Sequence, residues 1–368
     1  MASLSRVPYA ILPSLFQETN LNDDKDNTSD VHRSIFVLFE NKRYELNNML
    51  KAHPGAWCVG SSHNFLVFLD NNGYPLLLNP SSETCINLPP FPNSLIRRAS
   101  VPSYSYYVEH LRKFFVAKAA LMCFPSPSQY TLAIMYGTYP LCKIAFCSNR
   151  RASWVELLDA KQCYCDIVFD NNNFYTLTGD CSIEGWDFRQ QVPRKILYVN
   201  HPIMDKDKEE ETKFPSDKFS SKLYLVISKG DFFLIERFIG NFVNSNGEVV
   251  YEGSNLSNEG NEVCPYRTKH FSVYKLDFVK KRWEKIKCLN GGVIFVGVNE
   301  SKFVAKNLGC EGNLIYFSDD RWEEMNLDYS YGGHDWGVFH LQDSSIKFLA
   351  PYANKMDPPP IWMVPNSP

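Results

Sequence analysis

The sequence predicts an all-β fold, a single β-propeller of five to seven blades. Three observations carry that expectation: short runs rich in Val, Ile, Phe and Tyr, Gly/Asn/Asp punctuation between them, and a loose recurring unit. The segment 271–320 shows the runs most plainly. It reads Phe271-Ser-Val-Tyr-Lys-Leu-Asp-Phe278, Lys281-Arg-Trp283-Glu-Lys-Ile286, Val293-Ile-Phe-Val296, Ser301-Lys-Phe-Val-Ala305 and Asn313-Leu-Ile-Tyr-Phe-Ser-Asp-Asp320. Such runs fit a pleated, partly buried surface, and spacing of about 8–12 residues with little helical periodicity points to a sandwich, barrel or propeller.

In chain order, residues 1–30 are assigned to an N-terminal segment and a polar loop, with Leu12-Pro-Ser-Leu-Phe16 as an apolar peg. The propeller is assigned to 31–356. Ile35-Phe-Val-Leu-Phe39 reads as a strand, and 44–50 as a short helix or turn stopped before Pro54. Asn64-Phe-Leu-Val-Phe-Leu69 and Pro75-Leu-Leu-Leu-Asn79 flank Asp70-Asn-Asn-Gly73, a strong hairpin signal. Further strands are read at 114–123, 131–136, 141–146, 166–169 and 174–177, with a turn at Asp170-Asn-Asn-Asn173. A hairpin is expected across Lys229-Gly-Asp231. The mixed-charge run 205–213 and the Asn/Gly/Ser/Glu-rich run 244–261 read as solvated loops. The tail 357–368, with Pro358-Pro-Pro360, is expected to be neither regular helix nor central strand.

Trp57, Trp154, Trp283 and Trp322 each sit in a short strand followed by an apolar strand, a turn and another strand. Units of about 35–45 residues suit four-stranded, degenerate, kelch-like blades, although no unit carries a clean Gly-His…Trp-Asp pattern or kelch double glycine. One tryptophan per unit reads as core packing rather than a ligand cage.

Composition narrows the function classes. The chain has 368 residues, 44% hydrophobic and 14% aromatic, so it can bury a large core. A net charge of −3 gives no electrostatic case for nucleic acid or an anionic membrane. The apolar run 114–124 is interrupted by Lys118 and is too short to span a bilayer. No leader is visible, and eleven cysteines at irregular spacing read as reduced thiols in a cytoplasmic or nuclear protein.

A search for chemistry finds none of the common nucleotide, zinc-protease or hydrolase motifs. Cys163-x-Cys165 and Cys142-x4-Cys147 have no neighbours completing a zinc set and read as ordinary thiols. Gly332-Gly-His-Asp-Trp336 could offer a His334–Asp335 pair, but no nucleophile accompanies it, so a glycine turn with His334 partly exposed is expected. Asp319-Asp320 reads as a turn after a strand, and Lys280-Lys-Arg282 is too small a cluster for phosphate recognition. No catalytic, cofactor-binding or metal-binding residues are therefore assigned, and no cofactor. The partner-binding residues are unknown from sequence.

Several motifs in order resemble one plant-specific family. Cys58-Val-Gly-Ser-Ser62, Leu76-Leu-Leu-Asn-Pro80 with Ile86-Asn-Leu-Pro89, the Phe271–Phe278 run with Trp283, Gly312-Asn-Leu-Ile-Tyr-Phe-Ser-Asp-Asp320 and Pro360-Ile-Trp-Met-Val-Pro365 are similar to the F-box-associated β-propeller of the kink-suppressor (KIB-like) type. That family was long catalogued as a domain of unknown function. The resemblance spans residues 8–365 and implies a non-catalytic protein-binding module related to the substrate-recognition subunits of ubiquitin ligases. The family-like part starts near Pro8, so an F-box is not expected ahead of it, nor direct Skp1 binding. A monomer with an unidentified protein partner is expected. The alternative is an enzyme or small-ligand binder at the channel mouth, favoured by buried titratable groups converging there.

Overall fold

The computed structural model describes residues 8–13, 33–37, 42–46, 56–80, 82, 84–98, 113–123, 129–137, 142–149, 151–157, 163–190, 192–204, 208–252, 265–298, 301–305, 312–320, 332–349 and 360–364. Strands β1 (Tyr9–Pro13), β2 (Arg33–Val37) and β3 (Lys42–Leu46) open the first sheet. The second sheet is a meander of β4 (Trp57–Ser62), β5 (Phe65–Leu69), β6 (Pro75–Asn79) and β7 (Thr84–Asn87), followed by the short helix α1 (Asn93–Arg98). The third holds β8 (Val116–Cys123), β9 (Tyr130–Tyr136), β10 (Lys143–Ser148) and β11 (Arg151–Glu156). The fourth holds β12 (Tyr164–Asp170), β13 (Asn173–Thr178), β14 (Ile183–Asp187) and β15 (Arg194–Val199).

Then β16 (Ile203–Met204) and α2 (Lys208–Lys213) lead into the fifth sheet. It comprises β17 (Phe219–Ser228), β18 (Asp231–Gly240), β19 (Arg267–Asp277) and β20 (Arg282–Ile286), with β16 added in parallel beside β20. The sixth comprises β21 (Val293–Val296), β22 (Lys302–Val304), β23 (Leu314–Phe317), β24 (Gly337–His340) and β25 (Ile346–Phe348). Last, β26 (Ile361–Met363) returns to pair with β1.

Neighbouring sheets meet through one edge: β26 packs on β4, β4 on β8, β8 on β12, β12 on β17 and β17 on β22. The sixth and first sheets then share a core of Phe295, Tyr316, Trp336, Ala10 and Trp362. Six sheets thus succeed one another around a ring, within the expected five to seven. The fold is the expected all-β propeller.

Local chemistry fixes the hairpins. Asp70 Oδ1 accepts from the amides of Asn72 and Tyr74, both at 2.8 Å, and holds the turn at Gly73. Asn171 and Asn172 (φ 46° and 66°) and Lys229 and Gly230 (φ 52° and 84°) form two-residue turns whose twist matches that of the flanking strands.

Several expectations change. The propeller is not confined to 31–356: β1 lies before it, and β26 lies in the proline-rich tail. A ring must tie its ends together, and Pro13 and Pro360 stand at strand ends where a missing amide is tolerated. Residues 42–46 are strand rather than helix, paired along β2. The run 205–213 contains α2. The run 244–261 begins as a built turn, with Asn244 Oδ1 accepting from Asn246 N at 3.1 Å and Glu248 N at 2.9 Å. Residues 253–261 lie outside the described residues, as does Trp322. The other tryptophans are core, but not at equivalent places. Trp57 is in the first strand of its sheet, while Trp154 and Trp283 are in the fourth strands of theirs.

Candidate functional site

The axis of the ring is stapled by one buried charge pair. Lys118 on β8 and Asp166 on β12 meet at 2.5 Å, both almost wholly buried. Asp166 also accepts from Ile167 N and Leu225 N, each at 2.8 Å, and from Ser301 Oγ at 2.9 Å. Lys118 donates to Ser301 Oγ at 3.1 Å. The third, fourth, fifth and sixth sheets are therefore joined at one carboxylate. Ser61 and Ser62 continue the seam, donating to Trp362 O at 2.7 Å and Leu121 O at 3.0 Å. The signal in the sequence was a lone lysine inside an apolar run.

A second network lies between the fifth and sixth sheets, where the two motifs singled out in sequence converge. Asp319 and Asp320 follow β23, and His334 and Asp335 precede β24. His334 is fully buried rather than partly exposed, its Nε2 3.0 Å from Tyr266 O. The group that sequence reasoning missed is Arg237 on β18, itself fully buried. Its guanidinium donates to Thr268 Oγ1 at 2.8 Å, Ser318 O at 2.8 Å, Asp320 Oδ1 at 3.1 Å and Asp335 Oδ2 at 3.0 Å. Asp335 accepts further from Thr268 Oγ1 at 2.7 Å and Thr268 N at 3.0 Å. Phe317 covers Arg237 at 4.8 Å.

The electrostatics follow from this packing. Burial tends to raise the Asp320 carboxyl, but Lys222 and Arg237 hold it below its ordinary pKa. Burial pushes Asp319 up, with Asp335 adding to the rise. Tyr224 and Tyr266 are pushed well up by burial and then by Asp320 and Asp319 respectively. Arg237 is held charged: burial opposes its charge, but Tyr224, Asp335 and Asp320 outweigh it.

A pocket lies on the other face of β18. Side chains alternate along a strand, so Arg237 points toward the sixth sheet while Glu236 and Phe238 point toward α2. There a pocket of about 180 Å³ is lined by Glu210, Glu211, Phe214, Phe219, Glu236 and Phe238, with three serines. Glu210 ties the helix down: Lys285 Nζ is at 2.8 Å, His270 Nε2 at 3.4 Å, and Ser272 Oγ also donates to it. Burial works against its charge, yet these donors bring its pKa down to about 2.

The remaining candidates do not assemble into a centre. Cys142 and Cys147 are buried in the third sheet, and Cys163 and Cys165 are half-buried at the start of the fourth. Burial raises the Cys147 thiol and pushes Cys165 up to about 12, which makes them poor nucleophiles. Among the described residues no group of three or more His, Cys, Asp or Glu is arranged to hold a metal ion. Lys280 is spent on Asp277 at 3.2 Å and Glu284 at 2.7 Å, in the turn between β19 and β20. No helix among the described residues is long and apolar enough to cross a membrane.

A ring of six sheets closed by the pairing of β26 with β1, with Lys118 paired to Asp166 and Arg237 to Asp320 and Asp335, defines a β-propeller. The family model for the KIB1-4 β-propeller matches residues 35–340, and the chain belongs to that family. It is 22% identical over 330 residues to the "Putative F-box protein At2g33200" of Arabidopsis thaliana, covering 86% of this chain and 79% of that one. Solved structures that match are more distant. TolB from Acinetobacter baumannii has a TM-score of 0.44 at 9% identity, over 97% of this chain and 66% of that one. The N-terminal domain of Nup159 has a TM-score of 0.32 at 13% identity, over 69% of this chain and 56% of that one. Nothing about ligands or partners carries over from such distant likenesses.

Proposed function

We propose that this chain is a non-catalytic protein-recognition propeller, akin to the substrate-recognition part of ubiquitin-ligase F-box proteins. Membership of the KIB1-4 β-propeller family, together with a relative named as an F-box protein, is the observation that carries this reading. Propellers commonly recognise partners through the connections between their strands, which supports this reading. The reading has the chain working as a monomer in the cytoplasm or nucleus. Affinity purification of the tagged chain from cells tests it. Enrichment of a discrete set of client proteins is expected, and turnover of a small molecule without any client would overturn it.

The enzyme reading draws on one observation, the convergence of buried Arg237, Asp319, Asp320, His334 and Asp335. That convergence is weak support for catalysis, because Arg237 and Asp335 use their donors and acceptors on protein groups. Recruitment is a separate matter. Tyr9–Pro13 is a strand of the first sheet, paired with β2 and β26. The purified 368-residue chain is expected to form no stoichiometric complex with recombinant Skp1 on gel filtration. A co-eluting complex would require an adaptor site on the propeller itself.

A further inference from the structure

We propose that one end of the fifth sheet docks an acidic segment of a partner protein that also carries apolar side chains. The proposal deepens the protein-recognition reading and rests on it for the class of partner.

Strand order places three pieces of chain side by side at that end. The turn Lys229–Gly230 and the turn over residues 278–281 leave the sheet on the same side, because Ser228 pairs with Asp231, Phe233 with Lys275 and Asp277 with Arg282. Beyond β20 lies β16, with Ile203 opposite Arg282 and its amide donating to Lys281 O at 3.1 Å. Five strands spaced by about 4.8 Å make a strip roughly 20 Å long, the reach of about six extended residues.

Exposed apolar groups gather on this strip. Val279 is 94% exposed, Ile203 65% and Phe278 40%. Single exposed apolar side chains are ordinary, whereas a group of them marks a contact surface. The turn that carries two of them is rigid. Asp277 Oδ1 accepts from Val279 N and Lys280 N, both at 2.9 Å, and Phe278 meets Phe232 edge-on at 5.1 Å. A partner therefore has little ordering cost to meet on this side.

Charge selects the partner. Segments 229–231 and 275–284 hold five basic and three acidic residues, a positive island in a chain of net charge −3. Asp231 holds Lys275 at 2.7 Å, and Asp277 and Glu284 hold Lys280 at 3.2 and 2.7 Å. Lys229 and Lys281 are exposed, and among the described residues neither ammonium has an ion-pair partner. Both stand at left-handed φ, 52° and 49°, where Asn or Gly is less strained. Turn formation thus does not explain a lysine at either place, whereas carboxylates on a docked segment do. Two lysines are too few for nucleic acid. Two lysines and one protruding valine are also too little to hold an anionic bilayer.

The test is selection of a random dodecapeptide display library on the full chain, with affinities of the enriched peptides read by fluorescence anisotropy. Peptides that combine Asp or Glu with Leu, Ile or Phe, and that bind less tightly in salt, are expected. Val279→Asp should weaken them at least about tenfold. Lys229→Asn with Lys281→Asn should weaken them as much while the unfolding midpoint holds or rises, because asparagine relieves both turns. A purely structural role for the lysines would instead lower that midpoint. No enrichment, enriched peptides without acidic residues, or equal affinity for either variant would each overturn the proposal. Co-sedimentation with phosphatidylserine–phosphatidylcholine vesicles, abolished by Val279→Asp, would also overturn it and assign the strip to a lipid surface. If the double variant does not fold, Val279→Asp decides alone. Undiminished capture of clients in cells by both variants would sink this strip and leave the protein-recognition reading standing. A chain that captures no client, yet enriches acidic peptides that the variants reject, would do the reverse.

Discussion

Arg237 donates from all three guanidinium nitrogens, and two carboxylates, Asp320 and Asp335, depend on its charge. Removing one partner of a buried ion pair leaves an uncompensated charge, at a cost of about 3–5 kcal/mol. Arg237→Met keeps most of the volume over Phe317 and deletes the charge, so a loss in that range is expected from urea unfolding at neutral pH. Adding Asp335→Asn should recover part of the loss, because one stranded carboxylate is then neutral. A single-variant loss under about 1 kcal/mol, the size of an exposed pair, would show that the network is solvated. The acidic half of this cluster was only half legible: Asp319-Asp320 and His334-Asp335 were singled out in sequence but read as turns, with His334 partly exposed, whereas Asp319, His334 and Asp335 are fully buried. Arg237 was not legible. In Phe232-Phe-Leu-Ile-Glu-Arg-Phe238 the adjacent Glu236 and Arg237 fall on opposite faces of the strand, and only the inter-sheet packing shows that both faces of β18 are buried.

Helix α2 shows the same limit at the scale of an element. Its six residues, Lys208–Lys213, are all charged or polar, so the run reads as solvated. Its anchors are Glu210, which reaches Ser272, His270 and Lys285, and Phe214, one residue past the charged run, which stacks on Phe238. Trimming this run as though it were a free loop would therefore break packing and should cost more than the about 1 kcal/mol that loop closure alone sets. The pH dependence is a cleaner test. Glu210 has its folded pKa lowered from an ordinary 4.5 to about 2. A depressed carboxyl stabilises the fold above its unfolded pKa, and that stability is lost as pH falls from about 4.5 through about 2. Glu210→Gln should therefore be less stable than wild type at neutral pH, and the gap should narrow between pH 4.5 and 2. A gap constant across that window would place the glutamate's worth in packing, not charge. The hairpins, by contrast, were legible because Asp70-Asn-Asn-Gly73 and Asn171-Asn172 carry their turn geometry in single residues.

The whole ring depends on a closure that no local pattern announces. A three-residue strand between Pro360 and Val364 is too short for periodicity, and β1 is separated from β26 by nearly the whole chain. Its pairing offsets a large loop-closure entropy only because Trp362 is driven into the core between the first and sixth sheets. The ring of Trp362 lies 5.7 Å from Phe295, 5.8 Å from Tyr316 and 6.1 Å from Trp336. Its carbonyl accepts from Ser61, and Lys302 Nζ donates to Val364 O at 3.2 Å, so the short strand is held from both neighbouring sheets. Trp362→Ala removes the aromatic centre of this joint and should cost about 3–5 kcal/mol, as for other large-to-small core changes. Ending the chain after residue 356 removes the strand altogether, and its unfolding midpoint should fall further. A separate peptide of residues 357–368 should then raise that midpoint as its concentration rises, because it binds the folded ring and not the unfolded chain. If the shortened chain does not fold, the Trp362→Ala midpoint carries the test alone. A midpoint unmoved by either change would mean that β1 and β26 only decorate a ring already closed elsewhere.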